Sequence, residues 1–386
     1  MSNYKNFKNR IAIDFSDVTD YEFNTKCILN SKLIGKTIIY GRNATGKTNL
    51  GRAITDIRSI FRTSPQFLYR DVYTLNADSS EKATTFEYTF LFDDKEIYYQ
   101  YAKTSQGNIL TETLKIDQNV IYDLDLTQKR FLEIDRSLLN IDEVAEKKYL
   151  DILHTEDVDE EMPEPNIPFL RWLISNVGFP SDSPLLNLKK YVFQMVFLTV
   201  PEAIRRNRYP GIVIKLYEWL YTDVNNLKHF EQFLNAMGLE CQLAIKKLPD
   251  EQYELYFVHK EKLIPFQGTA SSGTLALFDL YRAVVWRGVN LSEMSFLYLD
   301  EFDAFYHYEM AERVIKYFKE YMPQCQIILT THNTNLMSNE HMRPDCIFIL
   351  SRQGTLTPLV HATTRELKEG HNLEKMYISG EFQQYE

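Results

Sequence analysis

The stretch Gly41-Arg42-Asn43-Ala44-Thr45-Gly46-Lys47-Thr48 has the pattern Gly-x4-Gly-Lys-Thr. Two glycines at that spacing let a backbone wrap an anion so that successive N–H groups point inward. Lys47 would supply a point charge for β- and γ-phosphates, and the Thr48 hydroxyl is suited to ligating Mg2+. Asn49 completes the expected nucleotide-binding set of Gly41, Arg42, Asn43, Ala44, Thr45, Gly46, Lys47 and Thr48. The same pattern would arise by accident in roughly 1% of chains of this length. Here it follows an apolar run, Ile38 to Tyr40, and precedes a helix-compatible segment, Asn49 to Ile60, which is the strand–loop–helix setting a phosphate loop requires.

Three further groups are placed where they could act with it. Phe296-Leu297-Tyr298-Leu299 reads as a buried strand that ends in Asp300-Glu301. A strand-terminal Asp beside a phosphate loop can hold Mg2+, and a Glu immediately after it can polarise an attacking water as general base. Upstream, Ser271-Ser272-Gly273-Thr274 opens a helical segment and forms a second anion-ready terminus. Downstream, Gln326 to Thr331 reads as a strand ending in His332, which can hydrogen-bond a γ-phosphate. Taken singly, these are an ordinary acidic strand end, a plain helix cap and a structural histidine. In this order they make one site, with Glu301, Lys47 and His332 as catalytic candidates and Thr48 and Asp300 as Mg2+ ligands.

The chain of 386 residues has room for one large domain or two ordinary ones. It is 44% hydrophobic and 25% charged, the make-up of a soluble globular protein. With 43 Lys and Arg against 53 Asp and Glu, its formal charge of −10 argues against a general nucleic-acid coat, though a local basic groove would be compatible with it. The four cysteines (Cys27, Cys241, Cys325 and Cys346) form no CxxC pair, so neither a zinc site nor a disulfide framework is indicated. No signal-peptide core opens the chain and no run approaches a membrane span, so a reducing cytoplasm is expected.

The elements that must position these residues are those of an α/β protein. Short apolar runs before Tyr40, including Ile11 to Ile13 and Cys27 to Leu29, predict strands leading to the phosphate loop. Leu50, Ile54, Ile57 and Phe61 recur at helical spacing. From Thr84 to Ile121 the period becomes two, with turns at Asp93-Asp94 and Gln106-Gly107-Asn108, which predicts an antiparallel meander. Its many Tyr and Phe fit strand formation better than base stacking. Residues 127–238 have a helical texture, with helices expected over Lys189 to Val200, Gly211 to Thr222 and Lys228 to Met237. Within them, Asp151 to Pro165 is acidic and reads as a solvated loop, and Arg205-Arg206-Asn207-Arg208 reads as a solvated basic connector. Strand texture returns over Cys241 to Leu248 and Tyr253 to Lys260. Segment 127–238 is therefore read as a helical insertion between two parts of one ATPase, 1–126 and 239–386.

The ordered set Gly41–Thr48, Ser272-Gly273-Thr274, Asp300-Glu301 and His332 resembles the ABC-type ATPases, including their SMC and DNA-repair branch. The resemblance implies paired heads that sandwich two ATP molecules, with Ser272 and Gly273 of one head reaching the nucleotide of the other and Asp303 to His307 on the loop crossing between them. The signature departs from the family by reading Ser-Ser-Gly-Thr. The glutamine loop has only weak counterparts in Gln66 and Gln100, and no heptad arm is present. Tyr40 to Leu50, Leu299 to Asp303 and Arg365 to Glu374 further resemble the compact OLD-like ATPases of bacterial anti-phage and abortive-infection systems. Some of those act beside a separate TOPRIM-type nuclease, as in the PARIS and retron-linked systems. The stretch after His332 is shorter than an ordinary domain, so the resemblance implies a separate effector and a phage-derived trigger. A DNA-end-binding SMC-like ATPase is the alternative; a transporter subunit or a nuclease built from 127–238 fits less well.

Overall fold

The computed structural model describes residues 1–61, 74–139, 141–155, 166–200, 210–286 and 294–386. The chain divides into two compact units, one formed by Met1–Ile13 with Asn49–Met195 and the other by Asp14–Thr48 with Val196–Glu386.

The second unit is built on a six-stranded sheet. Its strands run, edge to edge, Leu356–Pro358, Ile347–Leu350, Lys36–Tyr40, Gln326–Thr331, Phe296–Asp300 and Met195–Thr199. Lys36–Tyr40 lies between two parallel neighbours, with Ile38 opposite Leu329 on one side and Ile347 on the other. Phe296–Asp300 joins in parallel with Leu299 opposite Leu329. Every residue of Lys36–Tyr40 and Phe296–Asp300 is buried. A strand covered on both faces needs a continuous apolar run rather than an alternating one, which is what Ile38 to Tyr40 and Phe296 to Leu299 supply. This α/β arrangement brings the carboxyl ends of four parallel strands to one edge, where open parallel sheets place their ligands.

Helix Tyr308–Tyr321 buries Ala311, Val314, Ile315 and Phe318, a stripe at three- and four-residue spacing. Helix Ser272–Tyr281 buries Ala276, Leu277, Phe278, Leu280 and Tyr281, with the Tyr281 ring 4.5 Å from that of Phe230. Phe230 lies on helix Val224–Ala236, which Asp223 caps at its start. That helix ends in a left-handed Gly238 (φ +90°), whose N–H bonds Asn235 O while Leu239 N–H bonds Leu234 O. A three-stranded antiparallel sheet, Leu243–Lys247, Tyr253–His259 and Lys262–Pro265, completes the unit.

The first unit is organised by a five-stranded antiparallel meander, Thr84–Phe92, Lys95–Lys103, Ile109–Ile116, Asn119–Asp125 and Arg130–Ile134. The alternating segments form the expected strands and two more follow. Asp117 and Gln118 both take positive φ (48° and 67°) in the tight turn between the third and fourth, the geometry that matches strand twist. Buried Tyr99, Tyr101, Tyr122 and Phe86 face inward as core, not as an exposed stacking platform. Among them sits Glu112, fully buried. Its carboxylate accepts from the hydroxyls of Tyr99 (3.0 Å) and Tyr122 (2.6 Å) and from the N–H groups of Phe169 and Leu170 (2.8 Å each), at the start of helix Phe169–Asn176. Burial raises its pKa.

Four local expectations change. The segment Lys189 to Val200 is not one helix: helix Pro184–Phe193 ends and Met195–Thr199 becomes an edge strand. A short apolar run fits either state, and a place beside Phe296–Asp300 in the sheet decides it. Arg130–Ile134 is strand rather than helix because it pairs with Asn119–Asp125. The helix after the phosphate loop stops at Ile54, and a separate turn carries Arg58–Phe61, although Leu50, Ile57 and Phe61 are buried as the spacing implies. Ile11 to Ile13 forms no strand; Ile28–Leu29 and Leu33–Ile34 form a small hairpin. Segment 127–238 contributes to both units, with Phe169–Asn176 and Pro184–Phe193 in one and Val224–Ala236 in the other. Most of the acidic stretch, from residue 156 to 165, and the whole Arg205–Arg208 cluster lie outside the described residues. No described helix is long and apolar enough to cross a membrane.

Replacing Glu112 with Ala strands two hydroxyls and two helix N–H groups in the core, at about 1–3 kcal/mol for each unsatisfied group. The expected outcome in thermal unfolding is a loss of several kcal/mol for Glu112→Ala and a much smaller loss for Glu112→Gln, which keeps an acceptor oxygen.

Candidate functional site

The loop after Lys36–Tyr40 turns on its glycines. A Cβ on Gly41 would lie 2.7 Å from Thr45 Oγ1 and 2.9 Å from the Leu350 carbonyl, so no side chain fits there. Gly46 (φ +100°) and Ala44 (φ +66°) take left-handed backbone. The Thr45 N–H and hydroxyl both donate to Arg42 O, at 3.3 and 3.0 Å. The Arg42 guanidinium pairs with the Glu386 carboxylate, Nε donating at 3.0 Å.

Lys47 is the first residue of helix Lys47–Ile54. Its ammonium donates to Gly41 O at 2.6 Å and Arg42 O at 3.2 Å, and lies 3.2 Å from His332 Nδ1. Burial pushes its pKa down to about 8, against the opposing pull of Asp300, Glu301 and Asp303. The Tyr298 hydroxyl donates to the Lys47 carbonyl at 2.6 Å, tying the helix start to the neighbouring strand.

The Thr48 hydroxyl donates to Asp300 Oδ2 at 2.6 Å. The other oxygen, Oδ1, accepts from the Thr330 hydroxyl at 2.7 Å, and Asp300 is fully buried. Glu301 has φ +50° and its side chain is 40% exposed, with Oε1 3.9 Å from His332 Nε2. Beyond it, Asp303 accepts from the Thr331 hydroxyl at 2.7 Å, and burial raises the Asp303 pKa. Asn43, Glu301, Asp303, Ala304, His332 and Asn333 line a cavity of about 350 Å³.

The structure thus brings Lys47, Thr48, Asp300, Glu301 and His332 together, although they span most of the chain. Ser271, Ser272, Gly273 and Thr274 are not among the residues that line that cavity. Ser271 caps helix Ser272–Tyr281, its Oγ accepting from Thr274 N–H at 3.2 Å, while Ser272 is exposed. Gly273 has no room for a Cβ, which would meet Phe305 O at 2.9 Å. Asn49 turns its side chain to Asn6 Oδ1, 2.7 Å away. Gln66 lies outside the described residues, and Gln100 accepts from the Tyr98 hydroxyl on the meander. Sequence reasoning passed over Thr330, Thr331 and Tyr298. The one signal for the threonines was two adjacent hydroxyls at the end of an apolar strand.

The donor set fits a magnesium nucleotide. A left-handed glycine loop, a desolvated lysine and a Thr–Asp pair converge at a helix start. No cluster of three or more His, Cys, Asp or Glu among the described residues could hold a metal unaided, so Mg2+ at Thr48 and Asp300 would need phosphate oxygens and waters to complete its shell. A parallel α/β sheet with this loop after a central strand defines a P-loop nucleotide-binding protein.

A family profile described as "AAA domain, putative AbiEii toxin, Type IV TA system" matches residues 36–338. The chain belongs to this family of AAA-type P-loop ATPases. Solved structures similar to it include an SMC head domain from Thermotoga maritima (16% identity, 92% of this chain and 96% of that chain, TM-score 0.43). An Smc head bound to the C-winged helix domain of ScpA is similar at 15% identity, over 90% of this chain and 91% of that chain, TM-score 0.45. An Smc head with a coiled coil and joint from Pyrococcus yayanosii is similar at 12% identity, over 98% of each chain, TM-score 0.45. No curated protein matches the chain.

Because Lys47 titrates near 8, its ammonium loses its proton within the range where a triphosphate keeps its charge. With the pKa lowered to about 8, the charged form predominates below that pH and is lost as pH rises through it, so nucleotide affinity is expected to fall as pH rises from 7.5 to 9.5. Calorimetry at pH 8.5 in buffers of different ionisation heat should show proton uptake on binding; no uptake would overturn this assignment.

Proposed function

We propose that the chain binds ATP with Mg2+ at the phosphate loop and hydrolyses it between paired heads, in the cytoplasm, to govern a separate effector in bacterial anti-phage defence. The observation that carries the ATPase reading is the hydrogen-bonded line Thr48–Asp300–Thr330, with Lys47 and His332 beside it and Glu301 at the cavity edge. ATP supplies the scissile phosphoanhydride and Mg2+ the neutralising charge. Backbone N–H groups of Gly41 to Thr48 hold the phosphates, with Arg42, Asn43, Ala44, Thr45 and Asn49 shaping the loop. Lys47 leaves the Gly41 and Arg42 carbonyls to pair with the phosphates. Thr48 and Asp300 orient the cation. Glu301 accepts a proton from water, and His332 reports the γ-phosphate.

The paired state rests on the resemblance to ABC-type heads and on Ser271 and Ser272, which are exposed and do not line the cavity of their own chain. Ser272 and Gly273 then complete the site of a second copy. Membership of a family described by an abortive-infection toxin supports the defence setting. The resemblance to OLD-like ATPases supports a TOPRIM-type nuclease as effector and a phage-derived trigger.

Mass and ATPase rate, measured together with and without ATP and Mg2+, test this. Glu301→Gln is expected to keep ATP binding and lose turnover by about 100-fold or more, the scale of a general base. Unchanged hydrolysis would reject Glu301 as the base. Ser272→Arg is expected to leave ATP binding intact and abolish the ATP-dependent increase in mass; a wild type that stays monomeric in all conditions would remove the paired-head assignment.

A further inference from the structure

We propose that Thr330 is the positioning residue for the Asp300–Glu301 pair, acting on both the metal-binding carboxylate and the backbone of the general base. The inference rests on the ATPase reading above and deepens it.

Thr330 is fully buried and makes three bonds to three consecutive residues. Its hydroxyl donates to Asp300 Oδ1 at 2.7 Å and accepts the Glu301 N–H at 2.8 Å; its carbonyl accepts the Phe302 N–H at 3.2 Å. The regular pairing of the two strands stops one residue earlier, at Leu299 and Leu329. Past that point the chain leaves the sheet, and Glu301 enters the left-handed region at φ +50°, a conformation that a side-chain-bearing residue rarely takes unless its surroundings impose it. The Thr330 hydroxyl is the side-chain group that imposes it, since it holds Glu301 N–H while anchored to Asp300.

Both lone duties of that hydroxyl matter. With Oδ1 fixed by Thr330, Asp300 presents Oδ2 to Thr48, the other expected cation ligand. With Glu301 N–H fixed, the next carboxylate is aimed at the cavity shared with His332 and Asn333. A valine has the same shape with a methyl in place of the hydroxyl. It fills the space but leaves a buried carboxylate oxygen without a donor and a half-buried N–H without its acceptor. Serine restores both bonds.

The test compares wild type, Thr330→Val and Thr330→Ser for ATP affinity, turnover and the Mg2+ concentration that half-saturates each. For Thr330→Val, kcat is expected to fall about 30-fold or more, ATP affinity at saturating Mg2+ to change less than about 3-fold, and the half-saturating Mg2+ to rise about 10-fold. Thr330→Ser is expected to stay within about 3-fold of wild type throughout. If Thr330→Val does not fold, Thr330→Ala, which removes the hydroxyl without adding bulk, takes its place. A valine or alanine variant with wild-type turnover and Mg2+ dependence overturns the proposal, as does a serine variant as impaired as valine. A wild type that binds ATP without hydrolysing it would defeat the ATPase reading instead. The Mg2+ dependence of binding then decides alone: a rise for Thr330→Val supports the positioning role and no change overturns it.

Discussion

Asp300 is a carboxylate with no exposure to water, and each of its oxygens has to find a donor inside the protein. One is supplied by Thr48, from the helix that follows the phosphate loop, and the other by Thr330, from strand Gln326–Thr331. Those donors reach it only if Lys36–Tyr40, Gln326–Thr331 and Phe296–Asp300 lie side by side in this register. A one-residue slip would turn the Thr330 hydroxyl to the opposite face and leave an unpaired charge in the core. The buried acid therefore ties the chemistry to the sheet: the same bonds that satisfy it assemble the phosphate loop, the carboxylate pair and the histidine at one edge.

Two lysines show how differently one central strand uses the same side chain. Lys36 begins the strand, is buried, and donates to the Cys325 carbonyl at 2.7 Å; burial lowers its pKa. Lys47 follows the strand and is held by the carbonyls of Gly41 and Arg42. In both, carbonyl oxygens offset part of the desolvation. Only Lys47 has carboxylates and an imidazole within its field and a cavity beside its partners, so only there does the poised charge have something to act on.

The parts of the fold most legible in the sequence were those whose physics is local. Unbroken apolar runs at Ile38 to Tyr40 and Phe296 to Leu299, each followed by polar turn or acidic residues, pointed to strands buried on both faces, and the alternation from Thr84 onward pointed to a meander. The phosphate loop, Asp300-Glu301 and His332 were legible because each sits at the end of such a run. What escaped was set by partners distant in the chain or by strands too exposed to show a pattern. Met195–Thr199 follows a helix directly and becomes strand only beside Phe296–Asp300. Arg130–Ile134 is largely exposed, so no burial pattern announced it. Thr330 looks like any strand-forming threonine until Asp300 and Glu301, some thirty residues earlier, are placed against it.

The strand order has a consequence for the newborn chain. Lys36–Tyr40 leaves the ribosome long before Gln326–Thr331 and Ile347–Leu350, the strands that flank it on either side. The meander, whose neighbours in space are neighbours in sequence, can close while synthesis continues. The central strand cannot close early: until Gln326–Thr331 and Ile347–Leu350 are made, neither of its flanking partners exists, and an open strand edge is a template for pairing with another chain. A nascent chain that stops before residue 326 carries the complete phosphate-loop sequence without either strand that flanks Lys36–Tyr40, so the site assembles only after Gln326–Thr331 has emerged.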